Sequence, residues 1–217
     1  WKSPKAFARL VPVWTDVTPK NENIEAPDKA NAELRLGQRV QIRDDDADYP
    51  ALVMGMFMTG GGFLNSRLAV RVRQKEGLSY GVGGGFSASA LDKEGSFSGY
   101  AIYAPQNRDK VEKAMLEEFQ KVIDSGFTED EVREAKSGWL QSRVVGRAQD
   151  AAVARGLGSY LFIDRTFAWD AALEKKVLAL TPAQIQAALK KHLDPKKITV
   201  IKAGDFVRTG RVLHIDL

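Results

Sequence analysis

Gly60-Gly61-Gly62-Phe63-Leu64-Asn65-Ser66-Arg67-Leu68, running on through Arg73-Gln74-Lys75-Glu76-Gly77-Leu78-Ser79-Tyr80, decides how the rest of the chain is read. The pattern predicts the end of one helix, a glycine turn, a second helix and an abrupt entry into a strand at Tyr80. Leu64, Leu68 and Val72 recur every four residues, which puts them on one helical face. Arg67 and Arg71 share a neighbouring row. Arg73 closes the last turn, where a cation suits the negative end of the helix dipole, and Gly77 stops the helix. A guanidinium at a helix end and a phenol at a strand start are thereby joined by one tight turn, seven residues apart. Two donors held that way can converge on a shared ligand.

The flanking sequence is read outward from that turn. Upstream, Ala30, Ala32, Leu34 and Leu36 alternate with polar residues, the period-two pattern of a half-buried strand. Acids at 44–46 and 48, then Pro50, suit a helix start, and residues 51–58 supply a nearly all-apolar helix expected to be buried. Downstream, strands at 80–91 and 96–104 flank Asp92-Lys93-Glu94-Gly95 and should pair as a hairpin. Gly81 and the run Gly83-Gly84-Gly85 mark either a bulge on a twisted edge strand or a close approach by another backbone.

The second half reads as helical. Val111, Met115, Phe119, Val122 and Ile123 form one apolar stripe. Thr128 with Glu131, and Thr181 with Gln184 behind Pro182, are capping boxes that open two further helices. Residues 148–163 and 167–179 read as two more, and 198–203 as a closing β-branched strand. Neither strict βαβ alternation nor a bundle fits this order. It argues for an α+β fold, a two-layer sandwich of a mainly antiparallel sheet covered on one face by helices.

Composition narrows the function classes. The 217 residues suit one domain, or two small ones, and carry 44% hydrophobic and 28% charged residues. The net charge of +4 comes from 32 basic and 28 acidic residues, with no Lys/Arg run of the kind that binds nucleic acid. No apolar run approaches the roughly 20 residues of a membrane span. With no cysteine, the chain has neither disulfides nor thiolate metal ligands. Trp1-Lys2-Ser3-Pro4 carries no starting Met and no signal-peptide core, which reads as a segment of a longer product. The divisions expected are a connecting arm at 1–22, a domain at 23–206 and a tail at 207–217.

The motif G-G-G-F-L-N-S-R-L…V-R-Q-K-E-G-L-S-Y-G-V resembles the C-terminal, non-catalytic half of the M16 (pitrilysin/insulysin-like) zinc metallopeptidases, a family that includes the mitochondrial processing peptidase. That half carries R-x-x-x-E-x-L-x-Y, matched here by Arg73, Glu76, Leu78 and Tyr80. The order of elements from about Asn23 to Phe206 is similar as well.

The resemblance implies a chain that encloses unfolded peptide substrates together with a zinc-bearing N-terminal half, in the same polypeptide or a separate subunit. Tyr80 would donate to the carbonyl beside the scissile bond, Arg73 would position it, and Gly83 and Gly84 would lie on the substrate side. Zinc is expected in the partner half and no metal here. In the family the metal sits on H-x-x-E-H plus a distal glutamate, whereas His192 and His214 are 22 positions apart and residues 48–59 hold neither His nor Glu. His192, at a helix end, is expected to satisfy the dipole and terminal carbonyls.

The glycine runs lack a phosphate-loop context, and Ser66, Ser79 and Ser87 lack triad partners. The residues alone leave a plainer account open, in which Arg73 pairs with Glu76 or another acid and Tyr80 packs in the sheet. A second function also stays open: a peptidase-inactive assembly subunit, similar to the core proteins of the cytochrome bc1 complex. The compartment is a bacterial envelope or an organelle, with the bacterial envelope favoured.

Overall fold

A computed structural model describes residues 2–207. Its five strands form one sheet in the order β1-β5-β2-β4-β3. β2 (Ala32–Val40) pairs antiparallel with both β4 (Gly95–Tyr103) and β5 (Thr199–Gly204), and β3 (Ser79–Ala88) pairs antiparallel with β4 at the sheet edge. β1 (Asn21–Glu25) adds a parallel edge to β5. All five β1 residues are exposed, so its sequence carries no alternation to read; the ladder to β5 holds it in the sheet, with Asn21 also bonded to Glu112 and Lys202.

Alternation decides which face is covered. Ala32, Leu34, Leu36 and Val40 from β2 and Phe97, Ala101 and Tyr103 from β4 are buried in one core with Met54, Val111, Phe119, Ile185 and Leu189 from the helices. Lys202, on the inward row of β5, is reconciled with burial by Glu112 and by Asn21 Oδ1 at 2.7 Å.

α1 (Tyr49–Met56) is buried along most of its length, as its composition predicts, and continues as a π-helical turn over Phe57–Gly61. There the Gly62 N–H donates to the Phe57 carbonyl at 2.7 Å. The π turn lies directly on β3. A Cβ on Gly60 would stand 2.5 Å from the Gly84 nitrogen, and one on Gly84 would stand 2.6 Å from the Ser98 carbonyl oxygen. The two glycine runs are thus the two sides of one seam, where helix and strand backbones touch because neither carries a side chain.

One expectation fails beyond that seam. The second helix does not run unbroken from Leu64. A 3-10 turn (Phe63–Asn65) comes first, and the chain then winds into a π-helix over Ala69–Lys75. Leu68 and Val72 are fully buried as predicted, but Leu64 is cut off in the earlier turn and faces solvent.

The helical half matches its start signals. α2 spans Arg108–Ser125; α3 (Glu129–Arg147) and α6 (Pro182–His192) open on complete Thr128/Glu131 and Thr181/Gln184 capping boxes. Between them lie α4 (Asp150–Phe162) and α5 (Ala168–Ala179). Arg143 joins α3 to α5 through Asp170 and through Glu174 at 2.7 Å, and Arg147 reaches Glu174 at 2.5 Å.

The N-terminal arm is extended and pinned to the sheet by Arg9–Asp92 at 2.7 Å and by Arg39 stacked 4.7 Å over the Trp14 ring. Among the described residues no helix is long and apolar enough to cross a membrane. Trp1, His214 and the expected tail beyond Val207 lie outside the described residues.

Candidate functional site

The Ala69–Lys75 π-helix and the start of β3 build the site, and three arginines define it. Arg67 forks onto Glu131, Nε at 2.6 Å and Nη2 at 2.9 Å, and approaches the buried Glu118 at 3.6 Å. Burial pushes the Glu131 carboxyl up, but its hydrogen bonds from Arg67 and from the Thr128 cap outweigh that and hold it below the ordinary carboxylate value. Arg71 meets Glu76 at 2.9 Å and Glu117 at 2.5 Å.

Glu76 reaches Arg71 because the π-helix closes with an i→i+5 bond, the Glu76 N–H donating to the Arg71 carbonyl at 3.0 Å. Positions 71 and 76 are therefore neighbours, and the Arg73–Glu76 pair left open by the sequence does not form. Arg73 is exposed, with no hydrogen bond, ion pair or ring contact among the described residues.

Gly77, at φ +61°, ends the helix, and the Leu78 N–H donates to the Val72 carbonyl at 2.9 Å. Ser79 then pairs with Tyr103, but Gly81 pairs with Ile102, so Tyr80 is the extra residue of a β-bulge. The bulge anticipated among the glycines is here instead. It turns the Tyr80 side chain outward, 63% exposed and without a hydrogen bond among the described residues.

Ser79 clamps the bulge: its hydroxyl donates to the Ile102 carbonyl at 2.6 Å and accepts from the Gly81 N–H at 3.1 Å. Sequence reasoning weighed this serine only as a nucleophile. A small polar residue between the helix stop and the tyrosine was the available signal.

Arg73 and Tyr80 thus stand in solvent at the two ends of one clamped turn. Gly83 and Gly84 are placed differently. They pair with Tyr100 and Gly99 of β4 and pack under Gly60, so the seam accounts for their lack of side chains.

Among the described residues no three His, Cys, Asp or Glu side chains are grouped to hold a metal ion. His192 Nε2 lies 2.9 Å from Asp48 Oδ2, which also takes Lys191 Nζ at 2.7 Å. Those two bonds, Lys191's the larger effect, hold the Asp48 carboxyl below its ordinary range despite partial burial. His192 therefore joins the end of α6 to the start of α1, rather than serving the terminal carbonyls of its own helix. The chemistry left at the Arg73–Tyr80 turn is hydrogen-bond donation, suited to a carbonyl or a developing oxyanion.

Comparison with known proteins places the chain in a family. A family model described as the peptidase M16 inactive domain matches residues 2–138. A probable inactive metalloprotease of Bacillus subtilis, YmfF, is 30% identical over 198 residues, covering 88% of this chain and 40% of its own length. A non-peptidase homolog of Helicobacter pylori, YmxG, is 24% identical over 197 residues, covering 90% of this chain and 45% of its own. The crystal structure of a peptidase M16 inactive domain from Pseudomonas fluorescens superposes with a TM-score of 0.79 at 28% identity, over 93% of this chain and 47% of that one. The chain therefore spans less than half the length of these relatives. With its α+β sandwich and its glycine-seamed turn, it belongs to the M16 peptidase family, as an inactive, C-terminal-type domain.

Proposed function

We propose that this domain is the non-catalytic half of a zinc metalloendopeptidase, closing over an unfolded peptide and orienting it for the half that carries the metal. The observation that carries this reading is the contrast on one helical segment. Arg67 and Arg71 are tied to carboxylates of their own domain, whereas Arg73 and the bulge-borne Tyr80 have no partner among the described residues. Exposed donors fixed on a rigid turn are pre-organised for a ligand that comes from outside.

In this reading the partner half supplies the zinc and the attacking water. The Tyr80 O–H donates to the carbonyl beside the scissile bond, strengthening as negative charge gathers on that oxygen. The Arg73 N–H groups hold the neighbouring peptide carbonyl and fix the register. Ser79 keeps the phenol aimed by locking the bulge. β3, at the sheet edge, offers backbone groups to an extended chain.

The test is reconstitution. This chain alone should cleave no unstructured peptide, and adding the H-x-x-E-H half should give cleavage that a chelator abolishes. Hydrolysis by this chain alone, or full turnover by the metal half alone, contradicts the proposal. So does a reconstituted assembly with no peptidase activity, which points to an assembly subunit instead.

A further inference from the structure

The glycine triplet does more than make the seam. Gly60 packs on Gly84 of β3, while Gly61 and Gly62, just beyond it, line a cleft against α3. A Cβ on either would stand 3.6 Å from the Phe57 ring, so their lack of side chains leaves that ring uncovered. The cleft measures about 390 Å³, within the range of small-molecule sites. Phe57, the buried Met58 and Phe63 give it an apolar side. Phe63 is 74% exposed and held at φ +51°, a conformation that bulky residues rarely adopt.

The other side is one face of α3. Glu131, Ala135, Gly138 and Ser142 recur there at helical spacing, with Glu134 beside them. A Cβ on Gly138 would meet nothing within 4 Å, so the helix leaves room rather than filling it. Charge then selects the occupant. The guanidinium of Arg67, which also lines the cleft, is taken up by Glu131 and Glu118. Glu134 has no hydrogen bond or ion pair among the described residues, and neither has the Asn65 side-chain amide. The uncompensated charge of the lining is therefore negative, at the edge of an aromatic wall.

We propose that this cleft binds a small organic cation, an ammonium group carried on an aromatic or short alkyl body. The ammonium donates to the Glu134 carboxylate and the Asn65 side-chain carbonyl, and the body lies against Phe57, Met58 and Phe63. A carboxylate or phosphate ligand would face Glu134 with like charge. An extended peptide finds no edge here, because the backbone groups of α3 are bonded within the helix. Neither Arg73 nor Tyr80 lines the cleft, so the inference stands apart from the proposed function.

Amide NMR titration of this chain with phenethylamine provides the test. Saturable shifts should appear at residues 57–65 and 131–142. Phenethyl alcohol, of the same shape without the charge, should bind about tenfold more weakly or worse, and phenylacetate should not bind. Glu134→Gln should weaken phenethylamine by about the same factor. Gly138→Leu should abolish binding by filling the cleft. Its melt should be unchanged or higher, since leucine is the better helix former, so lost binding is read apart from lost folding.

The absence of saturable binding overturns the inference, as do shifts confined to other elements. Equal binding of the alcohol, or normal binding by Gly138→Leu, overturns it too. An unstructured lysine-bearing peptide that displaces phenethylamine assigns the cleft to a peptide side chain and overturns the free-ligand reading.

Discussion

Arg67 and Arg71 leave the same short helical segment as Arg73, and the fold treats them in opposite ways. The first two are held by Glu131, Glu117, Glu118 and Glu76, carboxylates from α2, α3 and the helix end. Arg73 faces solvent, across a glycine stop from Tyr80, which is exposed as well. The difference is one of winding. The π-helical close places Glu76 against Arg71, which takes up the acid that the sequence offered to Arg73. Residue type alone says nothing about this. The division assigns structural work to positions 67 and 71 and leaves 73 and 80 available for a ligand.

The assembled enzyme tests that division most sharply. Arg73→Ala should lower kcat/KM about 10²-fold, the loss expected when a contact that positions the substrate is removed. The melting temperature of the isolated chain should stay where it is, since exposed unpartnered positions stay within about 0.5 kcal/mol on substitution. A drop in melting temperature with activity intact would reverse the assignment.

Arg67→Ala should do the opposite. It removes a forked ion pair and leaves the Glu118 carboxylate, only 3% exposed, short of a partner. The expected cost is about 2 kcal/mol, or roughly 4–8 °C in a chain of this size, read by thermal melts. Assembled turnover at a temperature where both proteins are folded should be unaffected.

The two variants should also part in their pH dependence. Glu131 has its folded pKa below its ordinary 4.5, so the stability it contributes is present above that value and is lost as pH falls through the lower, folded value. The gap in stability between wild type and Arg67→Ala should therefore narrow below about pH 4.5, while Arg73→Ala tracks wild type throughout. Arg71→Ala should give the smallest effect, a fall in melting temperature short of the Arg67 variant's, because its partner Glu117 lies open to solvent and such pairs are screened.

Much of the fold was legible because the sequence states it locally. Capping boxes fixed two helix starts, alternation in β2 and β4 fixed the buried face, and the Asp92–Gly95 tetrad fixed the hairpin. β1 was illegible because Asn21–Glu25 is exposed throughout and becomes a strand by pairing with the distant β5. The break at Leu64 was missed because four-residue spacing cannot distinguish one continuous helix from a 3-10 turn followed by a π-helix.

The turn bearing Arg73 and Tyr80 could be picked out by its helix stop and strand start. The bulge that turns Tyr80 outward could not, because it depends on the register against Ile102 and Tyr103 of a strand more than twenty residues away. The glycines at 83 and 84 show the converse: the sequence flagged them, but only the contact with Gly60 explains them.

The account depends most on the phenol at position 80, and Tyr80→Phe isolates it by removing one oxygen from an exposed side chain. Single-turnover cleavage of an unstructured peptide by the two-half enzyme should slow about 10²–10³-fold, with peptide affinity little changed and the fold intact. Cleavage at the wild-type rate would show that Tyr80 donates nothing to the reaction, and the site would have to be sought elsewhere.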